Sequence, residues 1–237
     1  MYLIIMKRFL ADIKESRSKG GPSTCRIIYL WMIFSMVLMI CATPLLADSR
    51  FSAEIKTLPK WVISKMKRHS WRKACPVPLD QLSYIYLKHW DNNGKVQFGR
   101  LVVHKEVSQD IVEIFESLFN AKFPIVKMKL IDDYQGSDAA SMADNNTSAF
   151  NCRYVTGRKD VYSKHSYGTA IDINPLVNPF INHRMIAPAE GKKYLDRNAS
   201  VKGMIKKEDL IYKIFKSKGW IWGGDWKTIK DYQHFQK

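Results

Sequence analysis

The feature that most constrains this 237-residue chain is a pair of short, glycine-bearing segments, far apart in sequence, that together carry two imidazoles and several carboxylates. The first runs from Ser163 through His165, Gly168 and Ala170 to Asp172. The second runs from Gly223 through Asp225 to Trp226 and is followed by Asp231, His234 and Phe235. Successive side chains of an unbroken strand alternate between its faces, so His165 and Asp172, an odd seven positions apart, would point in opposite directions. Gly168 supplies a turn that lets both face one point. Asp231 and His234, three apart, need a kink of their own. A fold that meets both conditions gathers two imidazoles and two or three carboxylates, the ligand set of a hydrolytic zinc site, which leaves one position open for water. Taken alone, His165 reads as an ordinary surface or capped core histidine; the grouping gives it a chemical role.

The leader bounds where such chemistry would take place. Six basic side chains (Lys7, Arg8, Lys14, Arg17, Lys19, Arg26) against two acidic ones (Asp12, Glu15) precede an apolar run from Ile27 to Ala42, which continues through Pro44 to Ala47. A basic flank before an apolar run predicts a cytoplasmic N-terminus and export of the chain beyond the run, through a cleaved signal or an uncleaved membrane anchor over Ile27 to Ala47. Residues 1–47 are therefore read as the cytoplasmic segment plus signal or anchor, 48–74 as a linker with short helices, and 75–237 as the catalytic domain. Beyond residue 47 the chain keeps 32 basic and 20 acidic side chains, a net +12, which points to an anionic envelope surface or polymer as neighbour. Nucleic acid is excluded as a partner: the exported part has no Lys/Arg-rich run and no recognisable binding module. Cys75 and Cys152 follow the leader, and in an oxidising compartment they are expected to pair.

Along the exported part, Gln81 to His89 and Lys95 to His104 are β-rich and separated by Asp91 to Gly94, a hairpin signal. Ile111, Ile114, Phe115, Leu118 and Phe119 recur at helical spacing, with Ser108 as the expected cap. A strand is expected through Val126, Met128, Leu130 and Ile131, a long loop over 135–149, and short strands at Phe150 to Tyr154 and Ala170 to Asn174. Residues 176–207 show little periodicity. Leu210, Ile211, Ile214 and Phe215 form one face of a last helix that Gly219 stops, and Trp61 and Trp71 are expected to pack on the body from short helical pieces. Strands and helices in this order, without regular β-α-β alternation, predict an α+β domain with a mainly antiparallel sheet and flanking helices.

The segments S-x-H-x-x-G-x-A-x-D, G-W-x-W-G-G-D-W and D-x-x-H-F, in that order, resemble the zinc peptidases of the D-alanyl-D-alanine carboxypeptidase type, a family that includes L-alanyl-D-glutamate endopeptidases and D,D-dipeptidases. The resemblance runs from about Cys75 to Gln236. It implies a hedgehog-like core with one zinc ion at the sheet, held by His165, Asp172 and His234, with Asp231 as general base. Arg153 resembles the family's arginine that polarises the scissile carbonyl, and Ser163, Asp225 and Trp226 are implied to shape the substrate pocket. One departure is Asp231, because Glu is common there in some branches; the shorter side chain must sit closer to the water. The implied substrates are peptidoglycan stem peptides, cut by a D-alanyl-D-alanine carboxypeptidase. An L-alanyl-D-glutamate endopeptidase is the alternative, and a non-catalytic zinc-binding wall module is a third reading that Asp231 and Arg153 argue against.

Overall fold

The computed structural model describes residues 50–183 and 185–237. The leader expected over residues 1–47, with its membrane-anchor reading, lies outside the described residues. Among these, no helix is long and apolar enough to cross a membrane. Residues 50–237 form one compact unit, an α+β arrangement in which three small antiparallel sheets account for nearly all strand pairing.

The hairpin read from the sequence is the centre of the first sheet. Strand β2 (Leu82–Trp90) and β3 (Val96–His104) pair antiparallel along nine positions. The Asp91 carboxylate closes their turn by accepting from the backbone N–H groups of Asn93 and Lys95, both at 2.9 Å. Alternation then sends Ile85 and Leu87 to one face and Leu82 and Tyr84 to the other, and each face receives its own helix. Helix α2 (Lys105–Asn120) brings Ile111, Ile114, Phe115 and Leu118 to the first face, where they are fully buried with Ile85, Leu87, Leu101 and Val103. Helix α1 (Lys60–Arg68) covers the second, burying Val62 and Met66 against Leu82, Tyr84 and Val102.

Several expectations need correction. Of the segment 48–74 expected as a linker, the described part, residues 50–74, is not one: β1 (Ala53–Thr57) pairs with β2, from Ala53↔Leu87 to Thr57↔Ser83, and α1 is part of a core cluster. The segment is polar because β1 is an edge strand and α1 is amphipathic. Trp71 donates from its ring N–H to the Val77 carbonyl, while Trp61 meets the edge of Tyr84, has Lys65 and Arg100 over its ring and stays 44% exposed. Helix α2 begins three residues earlier than expected. Strand β3 runs straight into it, so His104 at the junction is the cap, its Nδ1 accepting from the Glu106 N–H, while Ser108 sits inside and donates to the Lys105 carbonyl.

The polar stretch 135–149 is built rather than loose. It holds α3 (Asp138–Ala143), capped by Ser137, and β5 (Asn146–Thr147), which pairs parallel with β4 (Lys127–Met128). The strand expected through Val126 to Ile131 shrinks to those two β4 residues and gives way to a 3-10 turn at Ile131–Tyr134. Asn146 explains why composition misled. Its buried side chain accepts from Lys129 N–H and donates to the Lys129 carbonyl and Ser141 Oγ, replacing ladder hydrogen bonds with amide ones. Phe150 to Tyr154 is not a strand; it touches β3 through one Phe150 N–H to Val102 carbonyl bond and forms a single bridge, Tyr154↔Tyr162.

Residues 176–207 hold the hairpin β7 (Phe180–Asn182) and β8 (Met185–Ala187). The connection after β8 is pinned by the half-buried Arg197. Its guanidinium donates to the carbonyls of Val177, Tyr194 and Ile205 and to Asn178 Oδ1, and stacks over Tyr232. The last helix, α4 (Leu210–Ser217), is capped by Asp209 and followed by Gly219 at φ +77°. It packs Phe215 on Phe235, their ring centroids 3.9 Å apart. Strands β6 (Ala170–Asp172), β11 (His234–Gln236) and β9 (Ile221–Trp222) form a second sheet in the order β6-β11-β9, and β10 (Lys230–Asp231) pairs with β7 in a third.

Cys75 and Cys152, 77 positions apart in sequence, form a disulfide with Cα atoms 5.9 Å apart. It joins the segment after α1 to the residue before Arg153.

Gly168 carries the turn that the ligand spacing demands. It lies at φ +69°, and an added Cβ would meet the His104 backbone nitrogen at 2.6 Å. The same approach is used productively, since the His104 N–H donates to the Gly168 carbonyl at 2.9 Å. Gly168→Ala is expected to destabilise the metal-free protein by about 2–4 kcal/mol in urea unfolding, through left-handed strain plus displaced backbone. Gly157→Ala, at φ +80° with nothing within 4 Å of the new carbon, should cost only about 1 kcal/mol. Equal losses at the two positions would show that close packing at Gly168 is unimportant.

Candidate metal centre and active site

Three local devices bring the candidate ligands together. Ser163 caps a 3-10 turn, Lys164–Tyr167, by accepting from the His165 N–H at 3.3 Å, and Gly168 ends that turn, so His165 is held on a tight coil just before β6. Asp172 is the last residue of β6. Strand β11 then pairs antiparallel with β6 in the register His234↔Asp172. Directly opposed residues on neighbouring strands project to the same face, so this register sets the second imidazole beside the carboxylate.

The resulting contacts are close. His165 Nε2 lies 3.2 Å from His234 Nδ1 and 3.2 Å from Asp172 Oδ2, and His234 Nδ1 lies 3.0 Å from Asp172 Oδ1. All three side chains are buried, and their ligand atoms lie within 4.8 Å of one another. The far ring nitrogens settle the tautomers. His165 Nδ1 is 2.6 Å from the Ala149 carbonyl and His234 Nε2 is 3.0 Å from Gln236 Oε1. Each acceptor requires an N–H there, which leaves lone pairs on His165 Nε2 and His234 Nδ1, aimed at each other and at Asp172. Converging acceptors in a buried place call for a cation, and two imidazole nitrogens with one carboxylate suit a divalent metal with a position to spare.

The charges around this group reinforce one another. In the metal-free state protons on the facing nitrogens take the cation's place: burial pushes the Asp172 carboxyl up, but the charge of a protonated His165 and hydrogen bonds from both histidines reverse that and hold it far below the usual carboxylate range. Burial likewise pushes His234 down, and the Asp172 hydrogen bond and charge more than compensate, raising it.

Asp231 arrives by a separate route. It ends β10 in the third sheet, and the turn at residues 232–233 delivers the chain to His234, so the expected kink between them is present. Gly223 makes the room: a Cβ there would lie 2.6 Å from the Asp231 carbonyl oxygen and 2.8 Å from its Cβ. Asp231 Oδ1 is buried with no hydrogen-bond partner among the described residues. Burial pushes its carboxyl up to about 6, His234 opposing and Asp172 adding to the rise. A carboxyl tuned toward neutrality beside a metal group is suited to accept and return a proton near neutral pH.

These groups open onto a cavity of about 630 Å³. Its floor is His165, Asp172, His234 and Asp231; Arg153 and Trp226 stand in its wall. Arg153 forms an ion pair with Asp138, and the Trp226 ring lies 5.5 Å from the His234 ring. Ser163 lines the cavity as well as capping its turn. Asp225 does not line it. It accepts from the Tyr212 hydroxyl at 3.2 Å and faces Lys207 at 3.9 Å, because the 3-10 turn at Gly223–Asp225 turns its side chain toward α4 while the next residue points inward. Among the lining residues that escaped sequence reasoning are Gln236, Asp138 and Met185. Gln236 had a signal, since two residues beyond His234 on a strand is the same face; Asp138 and Met185 had none.

Residues 156–237 match the family model described as D-alanyl-D-alanine carboxypeptidase. That segment contains all three metal-group residues and Asp231; Arg153 and Asp138 precede it. The match supports a metallopeptidase, in agreement with the resemblance read from the motifs. No solved structure matches the chain.

The metal group makes a direct prediction. Wild-type protein is expected to bind one divalent ion, and His165→Ala, Asp172→Ala and His234→Ala each to abolish near-stoichiometric binding in equilibrium dialysis. Gln236→Ala should weaken it by about 10–100-fold, the usual effect of removing the partner that orients a ligating histidine. Near-stoichiometric metal in His234→Ala would sink the assignment.

Proposed function

We propose that this chain is an exported zinc peptidase that trims peptidoglycan stem peptides as a D-alanyl-D-alanine carboxypeptidase. The observation that carries the reading is the convergence of two lone-pair nitrogens and one carboxylate beside the raised carboxyl of Asp231, on the floor of a cavity large enough for a short peptide. Among common ions, zinc suits two nitrogens and one carboxylate oxygen with an open fourth position; when bound there it supplies Lewis acidity and makes water more acidic. The basic, apolar leader and the net +12 of the remaining chain support export to an anionic envelope.

The residues divide the work. His165, Asp172 and His234 would hold the ion, with Ala149 and Gln236 fixing the two rings. Asp231 accepts the proton of the attacking water and returns it to the departing amine, both within one carboxyl. Arg153 presents a fixed positive charge to the carbonyl oxygen as it becomes an oxyanion, an effect realised mainly in the transition state. Trp226 and the rim of β7 and β8 exclude water around the scissile bond.

The test is bond choice. A pocket built for a terminal carboxylate leaves a polar group unpaired when that carboxylate is amidated, at about 1–3 kcal/mol, or about ten- to a hundredfold in rate. A pentapeptide stem ending in free D-Ala-D-Ala is expected to release D-Ala, and its amide to be nearly inert, when products are followed by mass spectrometry. Equal rates on both substrates, with cleavage after L-Ala, would replace this reading with an L-alanyl-D-glutamate endopeptidase.

A further inference from the structure

The main chain of Arg153 is held from several directions. Its N–H donates to Ser166 Oγ at 2.9 Å, and its carbonyl accepts from the Ser166 hydroxyl at 2.7 Å and from the Ser163 N–H at 3.0 Å. The disulfide cysteine precedes it in sequence. None of these fixes the guanidinium, which hangs on four rotatable bonds and could sweep a wide arc. The side chain's charged partner is Asp138, whose Oδ2 forms an ion pair with Nε without hydrogen-bond geometry, while a terminal nitrogen donates to the Tyr154 carbonyl at 3.4 Å.

Asp138 is itself aimed. Its other oxygen, Oδ1, accepts from Asn151 Nδ2 at 2.7 Å, and the same amide group also donates to the Gly136 carbonyl at 3.3 Å. Asn151 is buried, and Asp138 lies in the first turn of α3, whose start is closed by the Ser137 cap. A chain of contacts therefore runs from the backbone at Gly136, through Asn151 and Asp138, to Arg153. Engaging the guanidinium at Nε leaves its terminal N–H groups for another acceptor, and both Asp138 and Arg153 line the cavity.

We propose that Asp138 is a positioning residue that aims the Arg153 guanidinium at the reacting carbonyl, and that the stretch 135–149 exists partly to present it. The inference rests on the catalytic reading of Arg153 under the proposed function. Without Asp138 the arginine keeps its charge and its backbone place but loses the direction of its fork. Misplacement of a group that acts on the transition state lowers kcat more than it raises KM.

The experiment is a double-mutant cycle on the zinc-loaded full chain, with the pentapeptide stem as substrate. Asp138→Ala is expected to lower kcat about 10–100-fold with KM nearly unchanged, and with metal content and thermal unfolding like wild type. In an Arg153→Ala background the same change should cost nothing more, because there is no longer a guanidinium to aim. Added guanidinium ion should restore part of the turnover of Arg153→Ala, and none when Asp138 is also replaced. If Asp138→Ala does not fold, Asp138→Asn, which keeps the size but not the charge, serves in the same cycle. Additive losses, or wild-type kcat in both Asp138 variants, would overturn the inference while leaving the peptidase reading in place. Wild-type turnover in Arg153→Ala alone would remove the arginine's role, and this inference with it.

Discussion

Asp231→Asn is expected to keep the metal and lose about 10²–10⁴-fold in kcat, the usual contribution of a positioned base. The amide is nearly isosteric but cannot take a proton. Metal content is the control, because Asp231 is not among the three converging candidate ligands. The substitution should also change how the metal-free protein responds to pH. In the folded state Asp231 is raised to about 6, whereas an unfolded Asp titrates near 3.9. Its protonated form is favoured by folding, so the associated stability is fully present below about pH 4 and is lost as pH rises through 6. At pH 8 the buried carboxylate costs the metal-free wild type about 2 kcal/mol, allowing for partial solvent access. Metal-free Asp231→Asn should therefore be the more stable of the two at pH 8, and the difference should fade toward pH 4. Asp172 works in the opposite sense in both proteins, its stabilisation lost on acidification. Turnover within tenfold of wild type would assign the proton transfer elsewhere, and a pH-independent stability difference would remove the buried-charge explanation.

Reduction of the Cys75–Cys152 bond is expected to destabilise the protein by about 4–5 kcal/mol, since closing a loop of 77 residues removes that much chain entropy from the unfolded state. For a domain of this size the midpoint of thermal unfolding should fall by about 10–15 °C. The loss reaches the cavity, because Cys152 adjoins Arg153 and its N–H donates to the Ser70 carbonyl. Kinetics on the reduced protein below its midpoint should thus show a lowered kcat before global unfolding. A Cys75→Ala/Cys152→Ala variant should match the reduced protein and ignore added reductant. Unchanged unfolding with and without reductant, in protein whose bridge is verified by peptide mapping, would refute the stabilising role.

How far the residues could be read without coordinates depended on whether their signal was local. The hairpin around Asp91 to Gly94, the apolar faces of α2 and α4, and the stop at Gly219 all arise from turn chemistry and periodicity that act over a few positions. The stretch 135–149 failed because Asn146 buries an amide that stands in for backbone partners, so polarity there meant satisfied hydrogen bonds rather than exposure. Strand β1 failed because an edge strand has only one paired side, and its composition looks like that of a linker.

For the site, the sequence by itself determined which atoms can do chemistry: His165, Asp172, Asp231 and His234, with Gly168 where a turn must fall. It could also show that Cys75 and Cys152 were available to pair. Tertiary structure decided which of those groups meet and which partners hold them. The register His234↔Asp172, the Ala149 acceptor behind His165, the turn of Asp225 away toward Tyr212 and the Asp138 ion pair with Arg153 arise between residues that lie well apart in sequence. Residue identity and spacing act locally, whereas ring tautomers, ion-pair choice and the raised carboxyl of Asp231 depend on burial and on neighbours that only the folded chain brings within a few ångströms.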